Sequence, residues 1–202
     1  MTEKQKILNL SLETFLKEGF YKTTMDEIAA KLHMSKKTIY KNFSTKEELL
    51  AQVTQFFLKS NHKAIRKSFN SDSNAVEKIY YMTNTIGTIV SNISDRMLSD
   101  LQSYAPELWK RIDEFRTRVL TVNFTKIIEQ GKAEGFVNDI NSILVITAFV
   151  SSIRGVANPQ FVTSNKITLI EALETTISIF LNGILTEKGK KNLIKLKNNG
   201  AK

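Results

Sequence analysis

The chain has 202 residues and a formal net charge of +9, with 29 basic against 20 acidic side chains and no cysteine. A disulfide framework and any cysteine-based metal or nucleophilic site are excluded, while the surplus of lysine leaves a nucleic-acid or other polyanionic partner open. Two prolines and eight glycines, among abundant Leu, Ile, Lys and Glu, predict an all-α fold.

The first predicted helix runs from Lys4 to Glu18, with Leu8, Leu12, Phe15 and Leu16 on one stripe. It stops at Gly19, where a residue without a Cβ can turn left-handed, and Phe20 follows as the apolar partner. Thr24-Met25-Asp26-Glu27 has the form of a capping box, opening a helix whose Ile28, Ala29 and Leu32 face inward. After the turn Leu32-His33-Met34, Ser35 is the next cap; Ile39 and Phe43 then point to a core. Lys36, Lys37 and Lys41 are predicted to stay in water. From Glu27 to Glu47 there are five lysines and no acid between them. The run Ser35-Lys36-Lys37-Thr38 sets hydroxyls and cations at a helix N-terminus, which suits phosphates and base edges in a major groove. Residues 24–50 therefore read as a DNA-binding helix-turn-helix. Thr45-Lys46-Glu47-Glu48 is a second capping box, opening a helix that carries Leu49, Leu50, Val53, Phe56 and Phe57.

Taken together, Thr23-Thr24, Ile28-Ala29, Met34 through Phe43 and Lys46 through Leu49 resemble the N-terminal domain of the TetR family of transcriptional repressors, over about residues 4–57. The remainder is similar in length and helical layout, and Gly131 to Phe136 looks like that family's connection into its dimerising helices. Two positions depart from the pattern: His33 stands where glycine is frequent, and Asn42 where histidine is common. Histidine tolerates a left-handed backbone at roughly 1 kcal/mol, so the turn is expected to survive. Resemblance and position together assign Lys36, Lys37 and Thr38, with Ser35 beside them, to bases or adjacent phosphates. Thr24, Tyr40, Lys41 and Lys46 are assigned to phosphates.

Residues 51–70 add four basic side chains and no acid, ahead of a polar connector, Asn70 to Asn74. Val76, Ile79, Thr83, Ile86, Val90 and Ile93 form the next stripe; Met97, Leu98, Leu101 and Tyr104 mark a short helix. Pro106 suits the first turn of a longer helix that carries Trp109, Ile112, Phe115, Val119 and Ile127 and ends near Gly131 or Gly135. Two regular stripes follow, Ile143/Ile146/Val150/Ile153/Ala157 and Ile170/Leu173/Ile177/Phe180/Ile184, separated by a turn at Asn158-Pro159-Gln160. Their width allows packing against a second copy. The resemblance implies a homodimer built from residues 143–157 and 170–184. From Lys188 onward there are six lysines and no acid, read as a basic, solvated, partly disordered tail. The expected domains are 1–50, a helix-turn-helix; 51–187, a larger helical effector-binding and dimerisation domain; and the tail, 188–202.

No nucleotide-binding glycine loop, serine-hydrolase elbow or H-E-x-x-H motif occurs, and the two histidines, His33 and His62, lack evident partners. No catalytic residue, metal or cofactor is expected. The most apolar segment, Ile143 to Ile153, is interrupted by Thr147, Ser151 and Ser152 and falls short of the ~20 residues that span a bilayer. The N-terminus offers no signal-peptide core, and a cytoplasmic location is expected. The expected function is a ligand-responsive repressor that binds a palindromic operator in double-stranded DNA as a homodimer. The competing reading is a helical adaptor that meets an acidic protein or membrane surface through Lys59 to Lys67. A small-molecule effector, neutral or cationic and lipophilic, is expected in the body, with Tyr81, Tyr104, Trp109 and Phe149 as aromatic candidates.

Overall fold

The computed structural model describes residues 1–69 and 72–200, so Asn70 and Ser71 of the expected connector and the last two residues of the tail lie outside the described residues. Helices make up most of the described chain: α1 (Glu3–Glu18), α2 (Met25–Lys31), α3 (Lys36–Asn42), α4 (Lys46–Phe69), α5 (Ala75–Ser91), α6 (Asp95–Tyr104), α7 (Pro106–Ala133), α8 (Ser142–Val156), α9 (Pro159–Asn165), α10 (Leu169–Ile184) and α11 (Glu187–Gly200). The fold is all-α. Caps fix most of the starts. Thr2, Thr24, Ser35, Ser94, Asn141, Asn158 and Thr168 each accept a first-turn N–H through the side chain. Thr45 accepts the Glu48 N–H at 3.1 Å, but the Glu48 carboxylate returns to the Ser44 N–H at 2.8 Å rather than to Thr45, so this box closes one residue early.

The chain divides into two compact units, one of Met1–Asn61 and Ser91–Ile112, the other of His62–Val90 and everything from Asp113 onward. The first unit therefore extends past the expected boundary at residue 50 and takes in α6. The reason is core size. Three short helices bury too little surface alone, and Met97 and Leu101 of α6 join Ile7, Phe15, Ile28, Ile39, Phe43 and Leu49 in one apolar cluster. On α1 the buried face is Ile7, Ser11, Thr14 and Phe15, one position round from the predicted stripe, and Leu8 and Leu12 pack at its side.

Hydrogen bonds fasten α6 to the head. The Ser94 N–H donates to the Leu16 carbonyl at 2.8 Å, and the Tyr21 N–H donates to Asp100 Oδ2 at 2.8 Å. Gly19 lies between them with φ 78° and ψ 166°, a positive φ but not the left-handed helical conformation expected of this stop. A Cβ there would stand 2.5 Å from Asp100 Oδ2 and 2.6 Å from Arg96 Cγ.

In the second unit Phe149 of α8 stacks on Phe124 of α7 at 4.8 Å and meets Phe180 of α10 edge-on at 5.1 Å. Asp113 ties α7 to α8, accepting from Arg116 at 2.6 Å and from Arg154 at 2.7 Å. Burial alone would raise the Asp113 pKa, but the hydrogen bonds from Arg154 and Arg116 outweigh it and hold the carboxyl below its ordinary range. Ile146, Val150, Ile153 and Ala157 turn inward on α8, whereas Ile143 and Leu144 are 75% and 69% exposed. On α10, Ile179 is 66% exposed. Among the described residues, nothing lies within 4 Å of where a Cβ would stand at Gly155 or Gly183.

Two expectations are corrected in this unit. Asn158-Pro159-Gln160 is not a bare turn but the capped start of α9, with Pro159 at its first position. The lysine-rich tail is helical through its described residues. Thr186 accepts the Gly189 N–H at 3.1 Å to open α11, and Lys188 donates to the Glu134 carbonyl at 2.9 Å and lies over the Phe136 ring. Charge composition alone misread it. No single helix among the described residues is long and apolar enough to cross a membrane.

Gly19→Ala is expected to destabilise the protein by about 1–3 kcal/mol, through the positive φ and the clash with α6. Gly87→Ala, whose new methyl would meet only Ile170 at 3.9 Å in the interior of α5, is expected to stabilise by up to about 1 kcal/mol. Thermal denaturation of the two variants checks the contrast.

Candidate nucleic-acid interface

The helix-turn-helix is set by one backbone closure. His33 takes φ 53°; its N–H bonds the Ala30 carbonyl at 3.1 Å, and the Met34 N–H reaches the Ala29 carbonyl at 3.0 Å. That pair of bonds is the Schellman pattern, with histidine in the position glycine usually takes. Ser35 then begins α3, accepting the Thr38 N–H at 3.1 Å while the two hydroxyls lie 2.9 Å apart. Ile39 and Phe43 are fully buried. Across the helix from them Lys36, Lys37, Tyr40 and Lys41 are exposed, and their i, i+1, i+4, i+5 spacing puts them on one face. At about 1.5 Å per residue α3 is short enough to lie within a major groove about 12 Å wide.

The predicted contacts differ in how free they are. Thr24 is exposed and closes a full capping box with Glu27: its hydroxyl accepts the Glu27 N–H at 3.1 Å, and its own N–H donates to the Glu27 carboxylate at 2.8 Å. Lys36 is paired with Asp26 at 2.5 Å, and the hydrogen bond it donates to that carboxylate holds the ammonium above its ordinary range. Lys37 and Lys41 make no ion pair among the described residues. Lys46, in the first turn of α4, donates to the Tyr21 carbonyl at 2.6 Å, and burial keeps its ammonium below the ordinary lysine range. Ser35, Lys36, Lys37, Thr38, Tyr40 and Lys41 thus share α3 and its cap, with Thr24 and Lys46 on the neighbouring helices of the same unit.

The four aromatic ligand candidates are divided between the units. Tyr104 and Trp109 belong to the first, where Tyr104 stacks on Tyr21 at 3.6 Å and Trp109 packs against the head's core. Tyr81 and Phe149 belong to the second, Tyr81 exposed and Phe149 buried. Sequence reasoning missed Asp100 and Tyr21 altogether, because nothing within either segment signals a partner 79 positions away.

Residues 7–53 match the model of the bacterial regulatory proteins, tetR family. The HTH-type transcriptional regulator YvaF of Bacillus subtilis is 25% identical, over 87% of this chain and 94% of its own. The chain carries the N-terminal domain of the tetR family. A second family relative, QacR of Staphylococcus aureus, is 27% identical over 91% of this chain and 99% of its own. Among solved structures, a transcriptional regulator from Cytophaga hutchinsonii superposes with a TM-score of 0.71 at 21% identity, over 90% of this chain and 98% of that one. A regulator from Saccharomonospora viridis in complex with choline gives 0.70 at 14% identity, over 91% and 98%. The protein is a transcriptional regulator with an N-terminal helix-turn-helix of the tetR family.

The turn chemistry gives a paired expectation. His33→Gly relieves the left-handed histidine and is expected to stabilise by about 1 kcal/mol, whereas Ser35→Ala removes the α3 cap and is expected to cost about 1 kcal/mol. Chemical denaturation curves for both variants decide it.

Proposed function

We propose that the protein is a ligand-responsive repressor that binds a palindromic operator as a homodimer and is released by a small lipophilic effector. The observation that carries the DNA half is the acid-free face of α3, where Lys37 and Lys41 are exposed and, among the described residues, without ion-pair partners beside Tyr40 and the Ser35 cap. Lys37 and Thr38 meet bases or adjacent phosphates. Thr24, Tyr40, Lys41 and Lys46 meet phosphates. Lys36 contributes less, since binding must first compete with Asp26. One seven-residue helix reads few bases, and a two-fold dimer sets two such helices in successive grooves roughly 34–36 Å apart. The protein works in the cytoplasm, where its operator lies.

The exposed apolar side chains Ile143, Leu144 and Ile179, set among small residues on α8 and α10, supply a self-complementary surface within residues 143–157 and 170–184. The effector enters the second unit, whose apolar interior and net acidic stretches, residues 71–90 and 113–187, favour a neutral or cationic lipophilic molecule. Tyr81 and Phe149 are the candidates there. Choline in the Saccharomonospora viridis regulator is a cation held by the same fold.

Two experiments test this reading. Operator affinity measured against salt is expected to fall linearly on logarithmic axes, and Lys37→Ala and Lys41→Ala each to reduce the slope by about 0.9. Lys37→Ala also relaxes base preference, and Lys36→Ala changes less than either. In sedimentation the wild type is expected to run as a dimer at micromolar concentration and Leu144→Glu/Ile179→Glu as a folded monomer. Ile146→Glu, at a position only 4% exposed within its own chain, instead unfolds the protein.

A further inference from the structure

One cleft in the first unit shares Lys46 with the operator reading, which leaves the rest of its lining unused. It encloses about 360 Å³ and is lined by Phe20, Tyr21, Lys46, Leu50, Tyr104 and Leu108, with Ala105 and Glu47 completing it. Most of the lining is aromatic or aliphatic. Tyr21 and Tyr104 are stacked nearly parallel at 3.6 Å and 11°, yet are 50% and 54% exposed. Two wet tyrosines held face to face form a flat platform to which a third ring can add, since offset stacking contributes beyond the area it buries.

The polar element of the cleft is Lys46. Its ammonium spends one donor on the Tyr21 carbonyl at 2.6 Å and makes no ion pair among the described residues. A half-buried ammonium has lost hydration, a loss that the nearby carboxylates Glu47, Asp100 and Glu27 offset only in part; its depressed pKa has the same cause. Glu47, the other charged residue of the lining, is exposed, where solvent and salt screen its effect on an incoming anion.

We propose that this cleft is a binding site for a flat aromatic carboxylate, its ring laid on the Tyr21–Tyr104 platform and its carboxylate on the free donors of Lys46. The site is separate from the effector site proposed in the second unit, and it prefers the opposite charge.

Calorimetric titration of the full chain with 2-naphthoate, in the absence of DNA, tests it independently of operator binding. The uncharged isostere 2-naphthamide serves as the control on the wild type. Saturable binding of naphthoate is expected, at least ten-fold weaker for the amide, and at least ten-fold weaker for naphthoate in both Lys46→Met and Tyr104→Leu, with folding checked by circular dichroism. No saturable heat with naphthoate, equal affinity for the amide, or an unchanged affinity in either folded variant would overturn the assignment. Should a variant not fold, the acid–amide comparison on the wild type decides.

Discussion

Asp100 Oδ2 accepts the Tyr21 N–H at 2.8 Å inside the first unit, and the form of the DNA-binding head depends on that bond. The turn between α1 and α2 runs so close to α6 that a Cβ at position 19 has no room. Ser94 N–H on the Leu16 carbonyl holds the other end of the same contact. With Met97 and Leu101 in the shared core, α6 fills the volume that α1, α2 and α3 leave open. Stranding a buried acceptor, here the Asp100 carboxylate at 8% exposure, costs about 1–3 kcal/mol. That is a large share of the roughly 5–15 kcal/mol by which a whole domain is stable. The head is therefore a four-helix object with the start of α4, and the recognition helix is aimed by a residue some sixty positions downstream of it.

Local chemistry was legible in the sequence. The Thr24–Glu27 capping box, the Ser35 cap and the inward Ile39 and Phe43 all follow from interactions spanning at most four residues, and each stands as the spacing predicts, while the left-handed His33 stands as the family resemblance implied. What was not legible depends on distance in the chain. The α6 stripe Met97, Leu98, Leu101 shows that the helix buries a face but not which core receives it. Asp100 carries no local sign that it will be an acceptor. The lysines illustrate the same limit: composition counts Lys36, Lys37, Lys41 and Lys46 alike, whereas packing pairs Lys36 with Asp26 and half-buries Lys46 against Tyr21. Ile146 belongs to a regular stripe, yet that stripe faces its own chain, and the exposed apolar positions are its neighbours Ile143 and Leu144. In α11 the run of lysines hid a helix whose capping residue, Thr186, precedes it.

For a transcriptional regulator of this family, the useful consequence is a separation of roles within one short segment. Under the proposed reading, electrostatic attraction on α3 falls to Lys37 and Lys41, because the Lys36 charge is already partly answered by Asp26. Orientation comes from uncharged elements: the Schellman turn at His33, the serine cap and the α6 clamp. Effector control under the proposed reading is then bounded by thermodynamics, since a ligand lowers DNA affinity only by its preference for the conformation that binds DNA poorly.

The claim that α6 is an integral part of the reading head is tested most directly by native-state hydrogen exchange at the Tyr21 amide. The account predicts that this amide exchanges with the same opening free energy as those of Ile28 and Ile39 in the head's core, because releasing it requires the unit to unfold. Rapid exchange at Tyr21 while Ile28 and Ile39 remain protected would contradict it, leaving α6 a neighbour of the head rather than part of it.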